Sequence, residues 1–400
     1  VYFLGIDWAT EKHDLCLLDE TGAIVQQMKI EQSNAGFQHF EELVKRYGAV
    51  NIRFNIERSD GLLVDWMVTQ GWTIYVTPSV VVAHRRPRRS KSDPSDAYLL
   101  AHLLRLNDPD CRLLTRSSAT VLHVRELARA LDTTVADQRR LANRLSYLLY
   151  QYFPAANHLF AHVESLICLA FLEVYPTPEQ ARALTRHQLQ RFLKRHNYPF
   201  MQRLEGIYAR LQAPMPTATV SEGYVAQVKI LIPMLRQLYH SRSYLERELP
   251  KVFMTHPEAA WWKGFPGCNG PLTPARLLAW IGDERRRFPS AETLQAIAGT
   301  APVTRRSGKA LHVEFRRACS HPLRKALDDF ARQSVRHSAW ARDYLAEQMQ
   351  RGHSKARAYR ALANRWLKII WTLWQRGEQY DEARHLANRT HQGVGKLKAS

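Results

Sequence analysis

The chain has 400 residues, of which 45% are hydrophobic and 24% charged, enough for packed cores in two or three domains and too apolar for a disordered chain. Its formal charge of +20 and pI near 9.9 point to a polyanionic partner. Cys16, Cys111, Cys168, Cys268 and Cys319 are scattered with no CxxC pair, which argues against a disulfide framework and a zinc site. No signal-like start and no apolar run of membrane-spanning length are found, so the expected setting is cytoplasmic and nucleic acid outranks membrane as the partner. The charge is uneven: net −2 over residues 1–115, +7 over 116–258 and +15 over 259–400. A near-neutral front and a very basic rear imply divided labour, the rear holding phosphate backbones.

In chain order, Tyr2–Trp8, His13–Asp19 and Ile24–Glu31 alternate or run apolar and predict an antiparallel meander. Asn34–Tyr47 has Phe37, Phe40, Leu43, Val44 and Tyr47 at helical spacing and ends at Gly48. A strand over Ile52–Glu57, a helix over Asp60–Gln70, a strand over Thr73–Thr77 and a helix over Asp93–Leu106 follow. This βββαβαβα order is that of an α/β RNase H-like domain over residues 1–115. Residues 116–258 read as helical. Leu127, Leu131, Leu141, Leu145, Leu148 and Tyr152 form one seam, broken by Thr134 and Gln138. Val228, Ile232, Leu235, Tyr239, Leu245 and Leu249 form a second, with Pro233 expected to kink it. A coiled-coil arm and a plain helical bundle both fit these seams. The loop Ala213-Pro-Met-Pro-Thr217 separates them. Residues 259–388 are expected to be a mainly α domain, and 389–400 a basic tail.

Asp7 ends the first strand, Glu57 ends the fourth, and Asp93 and Asp96 open a helix one turn apart. If the first and fourth strands are neighbours, three elements bring four carboxylates together. Oxygen-only ligands of that kind suit a hard divalent ion, Mg²⁺ or Mn²⁺, and two such ions can clamp a phosphodiester displacement. Taken singly, Asp93 is also a good helix N-cap, Asp7 a strand-end residue and Glu57 a partner for Arg53 or Arg58; their joint order favours the metal. Asp14 is a weaker candidate. Arg85, Arg86, Arg88, Arg89 and Lys91 precede Asp93, where they could clamp a nucleic-acid backbone. Phe265-Pro-Gly267-Cys-Asn-Gly270 looks like a helix-hairpin-helix turn, with Gly267 and Gly270 open to a phosphate, or equally an ordinary interhelical turn. Trp340, Tyr344, Tyr359, Trp366, Trp371 and Trp374 recur at helical spacing and read as core.

Gly5-Ile-Asp7, Ile56-Glu57 and Lys91-Ser-Asp93-Pro-Ser-Asp96-Ala97, with Phe265-Pro-Gly267, Ile281-Gly-Asp283, Arg287-Phe-Pro-Ser290 and Arg306-Ser307-Gly308-Lys309 in the rear, resemble the DEDD transposases of the insertion sequence 110 family, the bridge-RNA-guided recombinases. The resemblance implies a RuvC-like front domain, a coiled-coil arm and a C-terminal domain with a nucleophilic serine. On this chain the metal ligands would be Asp7, Glu57, Asp93 and Asp96, and the nucleophile Ser307. It further implies a bacterial enzyme that joins donor and target DNA through a phosphoserine link under a non-coding guide RNA. A dimer of dimers would set the carboxylates of one subunit against the serine of another. The stretch after Ser307, Lys309-Ala-Leu-His-Val-Glu-Phe, departs from the glycine-rich turn common in the family. On its own residues Ser307 reads as part of a basic turn, flanked by Arg305, Arg306 and Lys309, which could hold a scissile phosphate. Ser290, Ser320, Ser334 and Ser338 are its rivals. Two other classes remain: a RuvC-like nuclease in which water attacks, and a non-catalytic nucleic-acid binder on the same scaffold.

Overall fold

The computed structural model describes residues 1–86, 93–214, 221–307 and 310–387; at Val80, His84, Asp93, Ser221, 305–307, 310 and 311 it describes the backbone alone. The chain forms two compact units, Val1–Arg116 and Ser117–Ser400.

The first unit is a mixed sheet with helices on both faces. Its elements are β1 (Tyr2–Asp7), β2 (Lys12–Leu18), β3 (Ile24–Glu31), α1 (Asn34–Tyr47), β4 (Ile52–Ile56), α2 (Leu62–Thr69), β5 (Ile74–Val76), α3 (Ser79–Arg85), α4 (Asp93–Arg105) and β6 (Arg112–Leu113). The strand order is β3-β2-β1-β4-β5-β6. β1 to β3 are the expected antiparallel meander, β4 lies parallel to β1, β5 parallel to β4, and β6 closes the edge antiparallel. Alternation sorts each strand's side chains to two faces. Leu4, Ile6, Phe54 and Ile56 pack with Phe40 of α1 and Leu63 and Met67 of α2. Phe3 of β1 and Cys16 and Leu18 of β2 pack with Ala97, Ala101 and Leu104 of α4. The sequence reading missed α3 and β6, both short and without a clear period.

The second unit is mostly helical. It comprises α5 (Ala119–Tyr152), α6 (Leu166–Val174), α7 (Pro178–Arg182), α8 (Arg186–Arg195), α9 (Leu204–Gln212), α10 (Ser221–Met254), α11 (Ala259–Lys263), α12 (Leu272–Ile281), α13 (Ala291–Ala298), β7 (Val303–Ser307), β8 (Ala310–Glu314), α14 (His321–His337), α15 (Ala339–Gln350) and α16 (Lys355–Arg376). α5 and α10 have 34 residues each and run antiparallel. The start of α5 (Val121, Val124, Ala128, Leu131) shares a core with Leu249 and Phe253 at the end of α10. The end of α5 (Leu145, Leu148, Leu149, Tyr152) shares another with Val228, Leu231 and Ile232, covered by α6, α8 and α9. The buried stripe of α5 thus runs through Val124 and Ala128, beside the expected seam, leaving Leu127 partly exposed. Helix α10 stays continuous through Pro233. The loop expected at 213–217 falls mostly outside the described residues.

The rear core is aromatic. Trp262, Trp340, Trp366 and Trp374 are fully buried among Phe265, Phe288 and Phe330, while Tyr344, Tyr359 and Trp371 pack on its margin. Three of these buried indoles have a partner for the N–H: Trp366 donates to Ser334 Oγ at 2.9 Å, Trp340 to the Tyr380 hydroxyl at 2.7 Å and Trp374 to Glu258 Oε2 at 3.0 Å. The β7–β8 hairpin lies where the sequence reading places a basic turn and no strands. Val303-Thr-Arg-Arg-Ser has too few apolar residues to alternate visibly.

Asp283, just past α12, ties three segments together. Its carboxylate accepts the Ser118 backbone N–H at 3.1 and 3.2 Å and lies 3.4 Å from His256 Nε2. Burial alone would raise its pKa, but the hydrogen bonds from His256 and Ser118 prevail and hold it at about 2, against an ordinary 3.8. A carboxylate depressed in the folded state stabilises the fold above its unfolded pKa and loses that contribution as the pH falls through the folded value. Asp283→Asn is expected to melt below the native chain near neutrality, with the gap narrowing as the pH falls from about 4 toward about 2. Thermal melts across that range check this; a gap independent of pH would contradict it.

Candidate active site

The site begins at a residue without a side chain. A Cβ on Gly5 would lie 2.0 Å from the Ala97 carbonyl oxygen and 2.5 Å from the Ala101 amide nitrogen. Only glycine lets α4 lie directly on β1 here. Asn55 of β4 fixes the same helix from the next strand. Its Nδ2 donates to the Leu100 carbonyl at 2.8 Å, and its Oδ1 accepts the Thr77 hydroxyl at 3.0 Å. β1 and β4 pair in parallel with Gly5 opposite Asn55 and Ile6 opposite Ile56. Two residues past that pair, on the same face by alternation, come Asp7 and Glu57. Asp96 immediately precedes Ala97, the residue pressed on Gly5, and is only 1% exposed.

A buried carboxylate needs a counter-charge, and Arg86, the residue after α3, supplies it. Its Nε meets Asp96 Oδ1 at 2.7 Å and its Nη2 meets Asp96 Oδ2 at 2.5 Å, a two-pronged pair. The Asp96 hydrogen bonds raise the Arg86 pKa against an opposing desolvation, and the charges of Glu57 and Asp7 raise it further. Three of the four expected carboxylates therefore act on one guanidinium. The fourth, Asp93, sits one turn earlier on α4, and its side chain lies outside those described. Among the described residues no three His, Cys, Asp or Glu side chains form a ready-made metal cage.

The neighbours are sorted too. Asp14 is opposite Asp7 in the β1–β2 register, but its Oδ2 is paired with Lys29 Nζ at 3.1 Å. His13, unnoticed in the sequence, is buried with its Nε2 2.5 Å from Gln32 Oε1. At the rim, Arg58 stacks 4.2 Å above the Trp8 ring and reaches Asp60 at 3.1 Å. Arg85 pairs with Asp108 at 3.1 Å. Arg88, Arg89 and Lys91 lie outside the described residues.

In the second unit, Ser307 ends β7, paired with Ala310 across the hairpin, and Arg305 and Arg306 precede it on the same strand. Their side chains and all of Lys309 lie outside what is described. The four rival serines all have structural tasks. Ser290, Ser320 and Ser338 are N-caps, accepting from the Thr293, Leu323 and Ala341 amides, and Ser334 Oγ donates to the Ala331 carbonyl while taking the Trp366 N–H. Gly267 has a φ of +86°, and a Cβ there would meet the Gln333 and Ser334 backbone of α14 at 2.8–2.9 Å, so close helix packing accounts for this glycine. Gly270 has open space around it.

Removing Arg86 should leave Asp96 as an uncompensated buried charge, which costs several kcal/mol when fully enclosed. With Arg86 partly exposed, Arg86→Ala is expected to destabilise by about 2 kcal/mol. Adding Asp96→Asn should recover part of that loss, because the orphaned charge goes with it. Denaturant titration of the single and double variants measures both; additive losses would show that the pair carries no coupling.

The DEDD transposase model of the IS110 type matches residues 4–154, and the model described as transposase IS116/IS110/IS902 family matches residues 263–346. The mini-circle putative transposase for IS117 of Streptomyces coelicolor is 32% identical, with 96% of each chain covered. The IS110 uncharacterized 43.6 kDa protein of the same species is 24% identical over 95% of each chain. The IS116 uncharacterized 44.8 kDa protein of Streptomyces clavuligerus is 24% identical over 93% of this chain and 94% of its own. A model spanning the sheet and α5, a second spanning much of the basic rear, and a relative aligned almost end to end lead to one conclusion: the chain belongs to the IS110 family of DEDD transposases.

Proposed function

We propose that this transposase cuts and rejoins DNA through a covalent bond to Ser307, assisted by an acidic site on an RNase H-like, RuvC-like first domain. The observation that carries the acidic site is the buried Asp96–Arg86 pair on a helix pressed onto Gly5, with Asp7 and Glu57 two residues past the Gly5–Asn55 register pair. The sheet order β3-β2-β1-β4-β5, antiparallel then parallel, supports the fold assignment. The donor set is all oxygen, which fits a hard divalent ion. Asp7, Glu57, Asp93 and Asp96 would hold Mg²⁺ or Mn²⁺, which supplies charge neutralisation at the phosphodiester when bound.

The serine step balances on the chain's own atoms. Ser307 Oγ attacks phosphorus and gives up its proton, an Oγ–P bond forms, and the bond from phosphorus to one sugar oxygen breaks, that oxygen leaving as a hydroxyl. The phosphodiester's energy is kept in the phosphoserine, so a hydroxyl of another strand can reverse the attack and rejoin DNA without a free break. Arg305, Arg306 and Lys309 would neutralise the phosphate. The structural tasks of Ser290, Ser320, Ser334 and Ser338 support Ser307 as the nucleophile. A non-coding guide RNA pairing with donor and target DNA, and a dimer of dimers with composite sites, complete the reading. The antiparallel α5–α10 pair, read as a coiled-coil arm, exposes Ile230, Met234 and Tyr244 on α10, which suits an oligomer contact.

Ser307→Ala should abolish the covalent protein–DNA adduct seen on denaturing gels with end-labelled DNA while DNA binding survives. A nuclease using water would keep cutting after that change, and a non-catalytic binder would yield neither adduct nor cut.

A further inference from the structure

Helix α16 is two-faced. Ala358, Leu362, Ala363, Trp366, Leu367, Ile370 and Trp374 are buried in the rear core. The opposite face carries Arg357, Arg365, Lys368 and Arg376, four cations over 22 residues, or about 33 Å.

Three cavities lie in a row along that face. The first, about 360 Å³, is lined by Arg357 and Arg360 and by Phe315 and Arg316 at the root of the β7–β8 hairpin. The second, about 270 Å³, shares Tyr344, Ala361 and Asn364 with the first and adds Arg365 and Lys368. The third, about 330 Å³, shares Arg365 and Lys368 with the second and runs to Arg376 and Arg384. The shared walls set the three side by side along the helix, and together they are called the groove. Four carboxylates also line it: Glu314, Glu292, Glu378 and Asp381. Glu378 is taken up by Arg384 at 3.1 Å, and Asp381 caps the Arg384 backbone N–H. Among the described residues Arg316, Arg357, Arg360, Arg365, Lys368 and Arg376 have no carboxylate ion pair.

The hairpin end of the groove is the most crowded. Arg324 and Arg360 both stack on the Phe315 ring, at 4.4 and 4.2 Å. Burial lowers the Arg360 pKa, Arg324 lowers it further, Asp328 opposes this and Arg357 adds to it. Asp328 is itself engaged by Arg332 at 2.9 Å. Guanidinium groups held together by an aromatic ring in place of carboxylates leave a positive charge that a polyanion would relieve.

We propose that the solvent face of α16 is a track for the sugar-phosphate backbone of DNA, leading to the root of the hairpin that carries Ser307. The placement beside Ser307 rests on the function proposed above; the track itself does not. Phosphate contacts release counterions, and each one steepens the salt dependence of binding by a little under one unit of logarithmic slope.

The test is the full chain carrying Arg357→Gln, Arg365→Gln and Lys368→Gln together, titrated into a fluorescein-labelled duplex DNA over a salt series. The expected result is a slope shallower by about 2 to 3, with thermal melting unchanged and with Arg365→Lys retaining the native slope. A native slope in the triple variant would overturn the track, as would a change seen with an RNA duplex and not with DNA. The fate of the serine reading is separable: Ser307→Ala removes the adduct without touching the salt slope. A shallower slope in a protein whose adduct survives Ser307→Ala would keep the track and discard the nucleophile.

Discussion

No side chain fits at Gly5 because the backbone of α4 already lies where one would be, 2.0 Å from its Cβ position. The acidic site depends on that contact. The helix so seated carries Asp96 directly before Ala97, and Asn55 holds α4 to β4, whose register with β1 sets Asp7 and Glu57 two residues past Gly5 and Asn55. Any side chain at position 5 would lift the helix from the sheet and part the carboxylates without altering one of them. Packing thus sets the electrostatics, and the electrostatics set what the site can hold.

The two units treat charge in opposite ways. In the first, buried acid is neutralised from within. Arg86 takes Asp96, Lys29 takes Asp14 and Arg85 takes Asp108, so the unit is close to neutral although its carboxylates are gathered on one face. In the second, many arginines are ion-paired, as Arg276 is to Asp132 and Arg332 to Asp328, but along α16 Arg357, Arg365 and Arg376 have no carboxylate ion pair among the described residues. Such a surface is tolerable in water because exposed guanidinium groups stay hydrated, and it becomes favourable once phosphates replace the counterions. A DNA transposase needs both: a place where charge is held ready for chemistry, and a surface where it is left free to bind.

Much of this was legible in the sequence. The apolar strands around Leu4, Ile6, Phe54 and Ile56 and the helix from Asn34 announced themselves by period, and the pairing of β1 with β4, here parallel, was expected from their order. What was not legible has physical reasons. The α3 helix is short, and the Arg86–Asp96 pair spans ten residues that include an irregular stretch, so no helical or strand spacing marks it. The β7–β8 hairpin hides behind arginines that break the apolar alternation. The groove along α16 needs several elements to make its walls, and no spacing along the chain marks it. Gly5 stood in a motif, yet its purpose appears only when α4 is set against it.

The central claim is that Asp7 and Asp96 are parts of one cation site while Asp14, beside Asp7 in the sheet, is not. Electron paramagnetic resonance of Mn²⁺ titrated into the full chain addresses it directly. The account predicts that Asp7→Asn and Asp96→Asn each remove or sharply weaken the same bound Mn²⁺ signal, and that Asp14→Asn leaves it in place. A signal that persists in both of the first two variants would contradict it.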